Sequence, residues 1–421
     1  MLCHRFLPRL TLPALLCAGL LYAAAPARAA EVSVHGDRIL VEGKPFAIRG
    51  ADGQSRLNLL RQLGATVVRS YGDETPYVLG EAQKYGLKVI AGLWLEPPRR
   101  GFDYTDRRAV DQQLAKLMDI VEQFKDSPAL LMWGIGNEVE GELPEDGEQA
   151  TLAFKAIEET ARLVRQRDPH HPVMAVLAET GKEKIIKLRR LAPSIQVLGV
   201  NSFGEALASL PDRVRAQGWT GPLIVTELGA LGQWDARRTD WGAPVEPSSD
   251  EKAVLLSRYL TALMPRTQGQ LVFYWGQKQE VTPTWHGQLL PDGEWLRSAE
   301  VMATAWGGAT PNGNHAPRIT SFKLTQGDSW TADKTGRAEI ATEDPDGDPV
   351  GVVWTVMAES ADVKKGGDAE SVPPSFPQAL REPGPRSVGI AGLKPGNYRL
   401  FVTVRDGKNA AATANLPFQV K

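Results

Sequence analysis

The stretch Leu130-Leu131-Met132-Trp133-Gly134-Ile135-Gly136-Asn137-Glu138 decides the fold. It is a short, almost continuous apolar run that ends in glycine, asparagine and a carboxylate. Such a run reads as a buried strand rather than a helix. Leu223-Ile224-Val225-Thr226-Glu227-Leu228-Gly229 has the same form. Each run delivers a glutamate to the point where strand gives way to loop. In a closed α/β barrel that rim carries the chemistry.

Working outward, apolar runs of this kind recur with helical-period segments between them. The strands predicted are Phe46–Arg49, Thr66–Ser70, Lys88–Trp94, Leu130–Asn137, Pro172–Leu177, Gln196–Asn201, Leu223–Glu227 and Gln270–Trp275. Helices are predicted over Gln54–Leu63, Arg107–Phe124, Ala150–Arg167 and Asp250–Met264. Alternating strand and helix implies parallel strands joined by right-handed crossovers. Eight units in about 260 residues match a (β/α)₈ barrel. The alternative is an open doubly wound sheet, but no glycine-rich phosphate loop follows the first strand.

The barrel pattern is assigned to residues 31–306. Residues 307–317, rich in Gly, Pro and Asn, read as a linker. From 318 to 421 the texture changes to short β-rich runs separated by turn signals. These are Arg318–Thr325, Arg337–Thr342, Val350–Ala358, Arg386–Ala391, Tyr398–Arg405 and Ala411–Val420. They predict a small all-β, immunoglobulin-like sandwich. The expected fold class is therefore α/β, a barrel followed by an accessory sandwich.

Residues 1–30 have a basic start at Arg5 and Arg9, an apolar run from Leu10 to Leu21, and Ala27-Arg28-Ala29. That architecture predicts a cleaved signal peptide and a periplasmic or secreted protein with no membrane insertion after cleavage. Both cysteines, Cys3 and Cys17, fall in this segment. The remaining chain then has no disulfide and no thiol nucleophile, and its fold must rest on a hydrophobic core. A net charge of −2, with 23% charged residues, argues against a nucleic-acid partner.

Two carboxylates on strands four and seven can meet over the barrel mouth. Hydrolysis of a glycosidic bond needs one carboxyl protonated and one ionised, and neighbouring carboxylates achieve this by opposing each other's ionisation. A separation of about 5–5.5 Å would give retention of configuration. No cofactor is required.

At Asn137-Glu138 and Glu227 the chain resembles the retaining (β/α)₈ glycoside hydrolases of clan A. Trp133 to Glu138 resembles family 2 glycosidase catalytic domains. The stretch from Gly64 through Arg69 to Glu138 also resembles fungal β-1,3-glucanosyltransferases. The resemblance implies that Glu138 is the acid/base and Glu227 the nucleophile. It implies that Asn137 binds the sugar 2-hydroxyl and Arg69 keeps Glu227 ionised. It also places Asn201 at the strand-six position of the site and Trp275 under the sugar to be cleaved. The substrate implied is a β-glycan or oligosaccharide, cleaved by hydrolysis or transferred. A barrel that grips polysaccharide without turnover is the other reading. One position departs from the pattern: where the clan has Asn-x-Tyr, this chain has Asn201-Ser202-Phe203, and Phe203 has no hydroxyl to offer the nucleophile. Tyr71, Tyr274 and His286 are candidate replacements.

Trp94, Trp234, Trp241, Trp275, Trp285 and Trp295 follow strand ends or sit in loops, where indole rings make sugar platforms. Glu140, Glu142, Glu145 and Asp146 read as a solvated acidic loop. Asp344-Pro345-Asp346-Gly347-Asp348-Pro349 fails the EF-hand pattern and reads as a turn. The sandwich resembles cadherin-like or polycystic-kidney-type modules, in which such runs are common.

Overall fold

The structure, a computed structural model, describes residues 29–141 and 143–421. The predicted signal segment lies almost wholly outside them. Eight parallel strands close a barrel: β1 (Ile48–Asp52), β2 (Val67–Arg69), β3 (Lys88–Leu93), β4 (Leu130–Ile135), β5 (Val173–Ala178), β6 (Val197–Phe203), β7 (Leu223–Gly229) and β8 (Gly269–Val272). The helices around it are α1 (Leu57–Gln62), α2 (Thr75–Lys84), α3 (Arg107–Phe124), α4 (Glu148–Arg167), α5 (Lys184–Leu191), α6 (Ala206–Ala216), α7 (Ser249–Leu263) and α8 (Ser298–Trp306).

The helices form for visible local reasons. In α3 the Asp106 carboxylate caps the backbone N–H groups of Arg108 and Ala109 at 3.0 and 3.1 Å. Such a cap satisfies donors that the first turn leaves open. Val110, Leu114, Leu117, Met118 and Val121 then bury one face against the barrel. In α7, Ser248 and Glu251 form a reciprocal capping box. Among the described residues, no helix is long and apolar enough to cross a membrane.

Two apolar layers hold the barrel. One lies between strands and helices and contains Trp133, Leu198 and Val225. The other fills the interior with Ile48, Val67, Ile90, Met174 and Ile224. A small antiparallel ribbon (Val32–His35, Arg38–Val41 and Lys44–Pro45) plugs the far end of the barrel with Val32 and Ile39. The opposite end, where strands finish, stays open.

The sandwich packs two sheets. Its strands are β9 (Arg318–Leu324), β10 (Gly336–Glu343), β11 (Gly351–Ala358), β12 (Ser387–Ile390), β13 (Gly396–Arg405) and β14 (Ala410–Val420). Strands β11, β13 and β14 make one sheet, and β9, β10 and β12 the other. The two modules are stitched together. Trp295–Leu296 of the barrel module adds to the edge of β14, pairing with Ala410 and Ala411. The buried Arg399 guanidinium donates to the Pro244 carbonyl at 2.8 Å. The Thr413 N–H donates to Ser249 Oγ at 2.9 Å.

The segment read as a linker is itself packed. Ala316 is fully buried in the barrel core, and Asn314 donates to Asp406 at 2.7 Å. Its glycines allow close approach rather than free motion: a Cβ on Gly308 would fall 2.1 Å from the Leu63 carbonyl carbon.

Candidate active site

Strand ends put six polar side chains into one cluster at the open mouth. Asn137 and Glu138 follow β4. Gly136, at φ +67°, makes the turn, and a Cβ there would lie 2.5 Å from the Val139 side chain. Glu138 is also left-handed, at φ 51°. A glutamate held there carries a local backbone cost of about 1–2 kcal/mol. It is pinned by bonds from its N–H to the Val176 carbonyl and from the Gly141 N–H to its own carbonyl, at 3.1 and 2.9 Å.

Glu227 lies inside β7, where pairing with both neighbouring strands slips past Val225. An irregularity of this kind re-aims a side chain, and Glu227 lines the cavity while remaining 7% exposed. Arg69, at the end of β2, ties the cluster together. Its Nη2 donates to Asn137 Oδ1 at 2.7 Å, and its Nη1 contacts Glu227 Oε1 and Asp52 Oδ1, each at 3.3 Å. Asn201 Nδ2 donates to Glu138 Oε1 at 2.7 Å and to Asn137 Oδ1 at 3.1 Å. Thr226 Oγ1 in turn donates to Asn201 Oδ1 at 2.8 Å, fixing the amide's orientation. A continuous hydrogen-bonded chain therefore runs from Glu138 through Asn201, Asn137 and Arg69 to Glu227.

Tyr71 provides the hydroxyl that Phe203 lacks. Its OH donates to Glu227 Oε1 at 2.9 Å. Its own N–H is held by Glu74 Oε1 at 2.8 Å, and the Arg69 guanidinium stacks 4.4 Å from its ring centre. His286 is committed elsewhere, with Nε2 facing Gln233 at 3.2 Å. Phe203 instead joins an aromatic wall, edge-on to Trp234, Phe273 and His286 at 5.4, 5.8 and 5.4 Å. Gly229 makes room for it, since a Cβ there would meet the Phe203 ring at 2.1 Å.

Burial and the Glu138 carboxylate push Glu227 up to about 7, against the pull of Arg69 and the Tyr71 hydroxyl. Arg69 pulls Glu227 toward its ionised form, in the direction expected, but burial and the Glu138 charge outweigh it. Arg69 is shared with Asp52, which is fully buried and raised well above the ordinary carboxylate range, first by desolvation. Reading the first strand as Phe46–Arg49 missed Asp52. The strand runs three residues further at its C-terminal side than that reading, and finishes beside Arg69 of β2.

Trp275 is a second correction. It has no exposed surface and belongs to the barrel core, so it does not line the cavity. Strand eight ends at Val272 rather than Trp275, and Phe273 and Tyr274 take the cavity wall. The Trp275 backbone N–H donates to the Asp52 carbonyl at 2.7 Å. Of the six tryptophans singled out by sequence, Trp94 and Trp234 line the cavity, and Trp285 and Trp295 are core residues. Glu140 departs from the solvated-loop reading. It is 2% exposed and accepts from the Ala178 N–H at 3.0 Å and Lys184 at 3.3 Å.

The cavity above this cluster has a volume of about 940 Å³ and is lined by Tyr71, Asn137, Glu138, Asn201, Glu227 and Tyr274 among others. That is the upper end of the range for small-ligand sites. In the sandwich, ligand atoms of Asp344, Asp346 and Asp348 lie within 4.8 Å of one another. Lys408 and His315 pair with Asp348 and Asp346 at 2.7 and 2.9 Å.

No family model matches the sequence. The solved β-D-glucuronidase of Dictyoglomus thermophilum is similar in fold, with a TM-score of 0.51 and 20% identity over 66% of this chain and 53% of that one. Bacteroides uniformis β-glucuronidase 2, covalently bound to cyclophellitol-6-carboxylate aziridine, superposes with a TM-score of 0.53 and 14% identity. That match covers 93% of this chain and 48% of the other. The fold, a (β/α)₈ barrel with an accessory β-sandwich, is shared with these solved β-glucuronidases. By sequence, pig β-glucuronidase is 27% identical over 195 residues, which is 41% of this chain and 27% of that protein. The chain thus spans about a quarter of the length of the curated relatives it matches and about half of the two solved structures.

Proposed function

We propose that the protein is a retaining β-glycoside hydrolase in which Glu227 is the nucleophile and Glu138 the acid/base. One observation carries this reading: the hydrogen-bonded chain that joins Glu138 to Glu227 through Asn201, Asn137 and Arg69 at the floor of one cavity. In the first displacement a Glu227 oxygen attacks the anomeric carbon. The bond to the leaving oxygen breaks, and Glu138 gives that oxygen its proton. In the second, Glu138 takes a proton from water as the water oxygen displaces Glu227 from the sugar. Asn137 has its carbonyl occupied by two donors, so its amide nitrogen is the atom that meets the sugar 2-hydroxyl. Tyr71 and Arg69 stabilise the Glu227 carboxylate whenever it is free. A sugar hydroxyl in place of water would give transglycosylation by the same steps.

The pattern of residues 1–30 supports export, and we place the enzyme in the periplasm or outside the cell. The names of its relatives make β-glucuronides the first substrate class to assay. The reading of the chain as a binding protein rested on Phe203. With Tyr71 donating to Glu227, that argument loses its force.

Glu227→Ala tests the assignment. Activity on β-glycosides is expected to collapse and to return with azide, yielding the glycosyl azide of inverted configuration. Unchanged hydrolysis by the variant across β-glycan substrates would refute the assignment.

A further inference from the structure

The cavity carries a second polar group that the two displacements do not use. It comes from the loops after β7 and β8 and consists of Gln233, Lys278 and Glu280, all of which line the cavity. Lys278 Nζ donates to Glu280 Oε2 at 2.7 Å, and Gln233 Nε2 donates to Glu280 Oε1 at 3.1 Å. His286 Nε2 lies 3.2 Å from Gln233 Oε1 and 3.6 Å from Glu280 Oε1. Burial alone would raise Glu280, but His286 and Lys278 outweigh it and hold the carboxyl well below the usual range. Glu280 is therefore an ionised acceptor in the cavity wall.

The sandwich closes over this wall. Between β11 and β12 it sends out a loop whose residues 363–367 also line the cavity. Gly367 lies against the ion pair, where a Cβ would meet Lys278 Nζ at 2.9 Å. Glu370 accepts from the Val281 N–H at 2.6 Å and so fixes the residue that follows Glu280. Asp368 engages Arg99 and Arg100, and Asp362 pairs with Lys364. Arg238, on the β7 loop, is exposed and donates to the Gly242 carbonyl.

Charge around Glu227 follows from these contacts. Arg69 and Lys278 are cations that pull on Glu227. Arg69 already meets Asp52 and Glu227, and Lys278 meets Glu280. Asp52 is kept protonated by its burial, and catalysis needs one proton between Glu138 and Glu227. The two remaining negative charges match the two cations. A sugar carboxylate would add an unmatched negative charge to a buried site, where such a charge is costly.

We propose that Glu280, with Lys278 and Gln233, selects a neutral hydroxylated sugar for cleavage and rejects a uronate. A hydroxyl donates and accepts at once, so one sugar O–H can give its proton to Glu280 and receive one from Lys278 or Gln233. A carboxylate only accepts, and it would leave Glu280 opposite a like charge. Discrimination then comes from the repulsive contact as well as the attractive one. The proposal rests on the glycosidase reading of Glu138 and Glu227, which sets the sugar to be cleaved in this cavity.

The test uses the full chain and substrate pairs that differ only at C6: aryl β-glucoside with β-glucuronide, and aryl β-galactoside with β-galacturonide. In the pair that is turned over, kcat/KM is expected to favour the neutral member at least about tenfold, a modest share of what a like-charge contact costs. Glu280→Gln keeps the shape, removes the negative charge and releases Lys278, so it should narrow that ratio about tenfold. Lys278→Met removes the wall's cation and should widen it. Lys278 is partly exposed, so this variant reports even where Glu280→Gln fails to fold, and an unchanged Tm marks each variant as intact. Preference of the parent for the uronide, or a ratio that neither variant moves, would overturn the proposal. Calorimetry with D-glucono-δ-lactam and D-glucaro-δ-lactam, which also differ only at C6, reads the same selection without turnover. Hydrolysis that favours the uronide defeats the wall and spares the glycosidase reading. Tighter binding of the neutral lactam, weakened by Glu280→Gln relative to the charged one, with no turnover of any β-glycoside does the reverse.

Discussion

Replacing Tyr71 by Phe isolates one hydroxyl. The phenyl ring keeps the stacking surface beneath the Arg69 guanidinium, 4.4 Å away, and removes the O–H that donates to Glu227 Oε1 at 2.9 Å. A hydrogen bond to a charged group in a buried site is worth about 1.5–3 kcal/mol. At about 1.4 kcal/mol per factor of ten, the loss amounts to roughly 10- to 150-fold. It should fall on any step in which Glu227 is an attacking or departing carboxylate. There is a second, independent signature. The Tyr71 hydroxyl is one of the groups holding Glu227 down against burial and Glu138. Removing it raises the Glu227 pKa further, so the acid limb of the rate profile moves to higher pH, away from its value near 7 in the parent. The assay is the rate of covalent trapping by a 2-deoxy-2-fluoroglycosyl fluoride across pH, where the fluoride leaves without an acid and Glu227 alone is followed. A variant that traps within twofold of the parent rate, with its acid limb unmoved, would refute the claim that Tyr71 replaces the hydroxyl absent at Phe203.

Three other perturbations have expected outcomes. Glu138→Gln removes the carboxylate that raises Glu227, so the acid limb of fluoride trapping should shift to lower pH even as turnover of poor leaving groups collapses. Trp275→Ala should cost about 3–5 kcal/mol of stability, as expected for emptying a buried aromatic site, and leave a urea midpoint well below that of Trp234→Ala. Were it to raise KM in a fully stable protein instead, the placement of Trp275 in the core would be wrong. Arg399→Met strips the partners from Glu359 and the Pro244 carbonyl, which Arg399 meets at 3.1 and 2.8 Å. Removing one side of a buried ion pair costs about 3–5 kcal/mol, and denaturant unfolding should show the loss.

Much of the architecture was legible because it rests on local pattern. The eight strand–helix units, the helix over Arg107–Phe124 and the six sandwich strands all announce themselves through apolar period and turn residues within a few positions of their ends. Helices α2, α5, α6 and α8 were missed, being short or weakly patterned. The errors that matter lie at strand ends. Asp52 sits three residues beyond the strand read as Phe46–Arg49, in the unmarked sequence Gly50-Ala51-Asp52. Trp275 follows Phe273 and Tyr274, and no local signal says which of three adjacent aromatic rings faces the cavity. The packed path of residues 307–317 was hidden for a similar reason: glycine and proline mark a loop equally well whether it is free or pressed against a core.

The sequence by itself determined the barrel, the sandwich and the pair Glu138 and Glu227, because strand periodicity and strand-end position are properties of neighbouring residues. Only the tertiary structure decided what surrounds that pair. Tyr71, Asp52 and Arg69 are close in sequence to one another but lie 156 or more positions from Glu227, and the loop that carries Lys364 comes from another module. Such contacts arise from the closure of the barrel and the docking of the sandwich. They are set by the packing of whole elements, and no local run of residues encodes them.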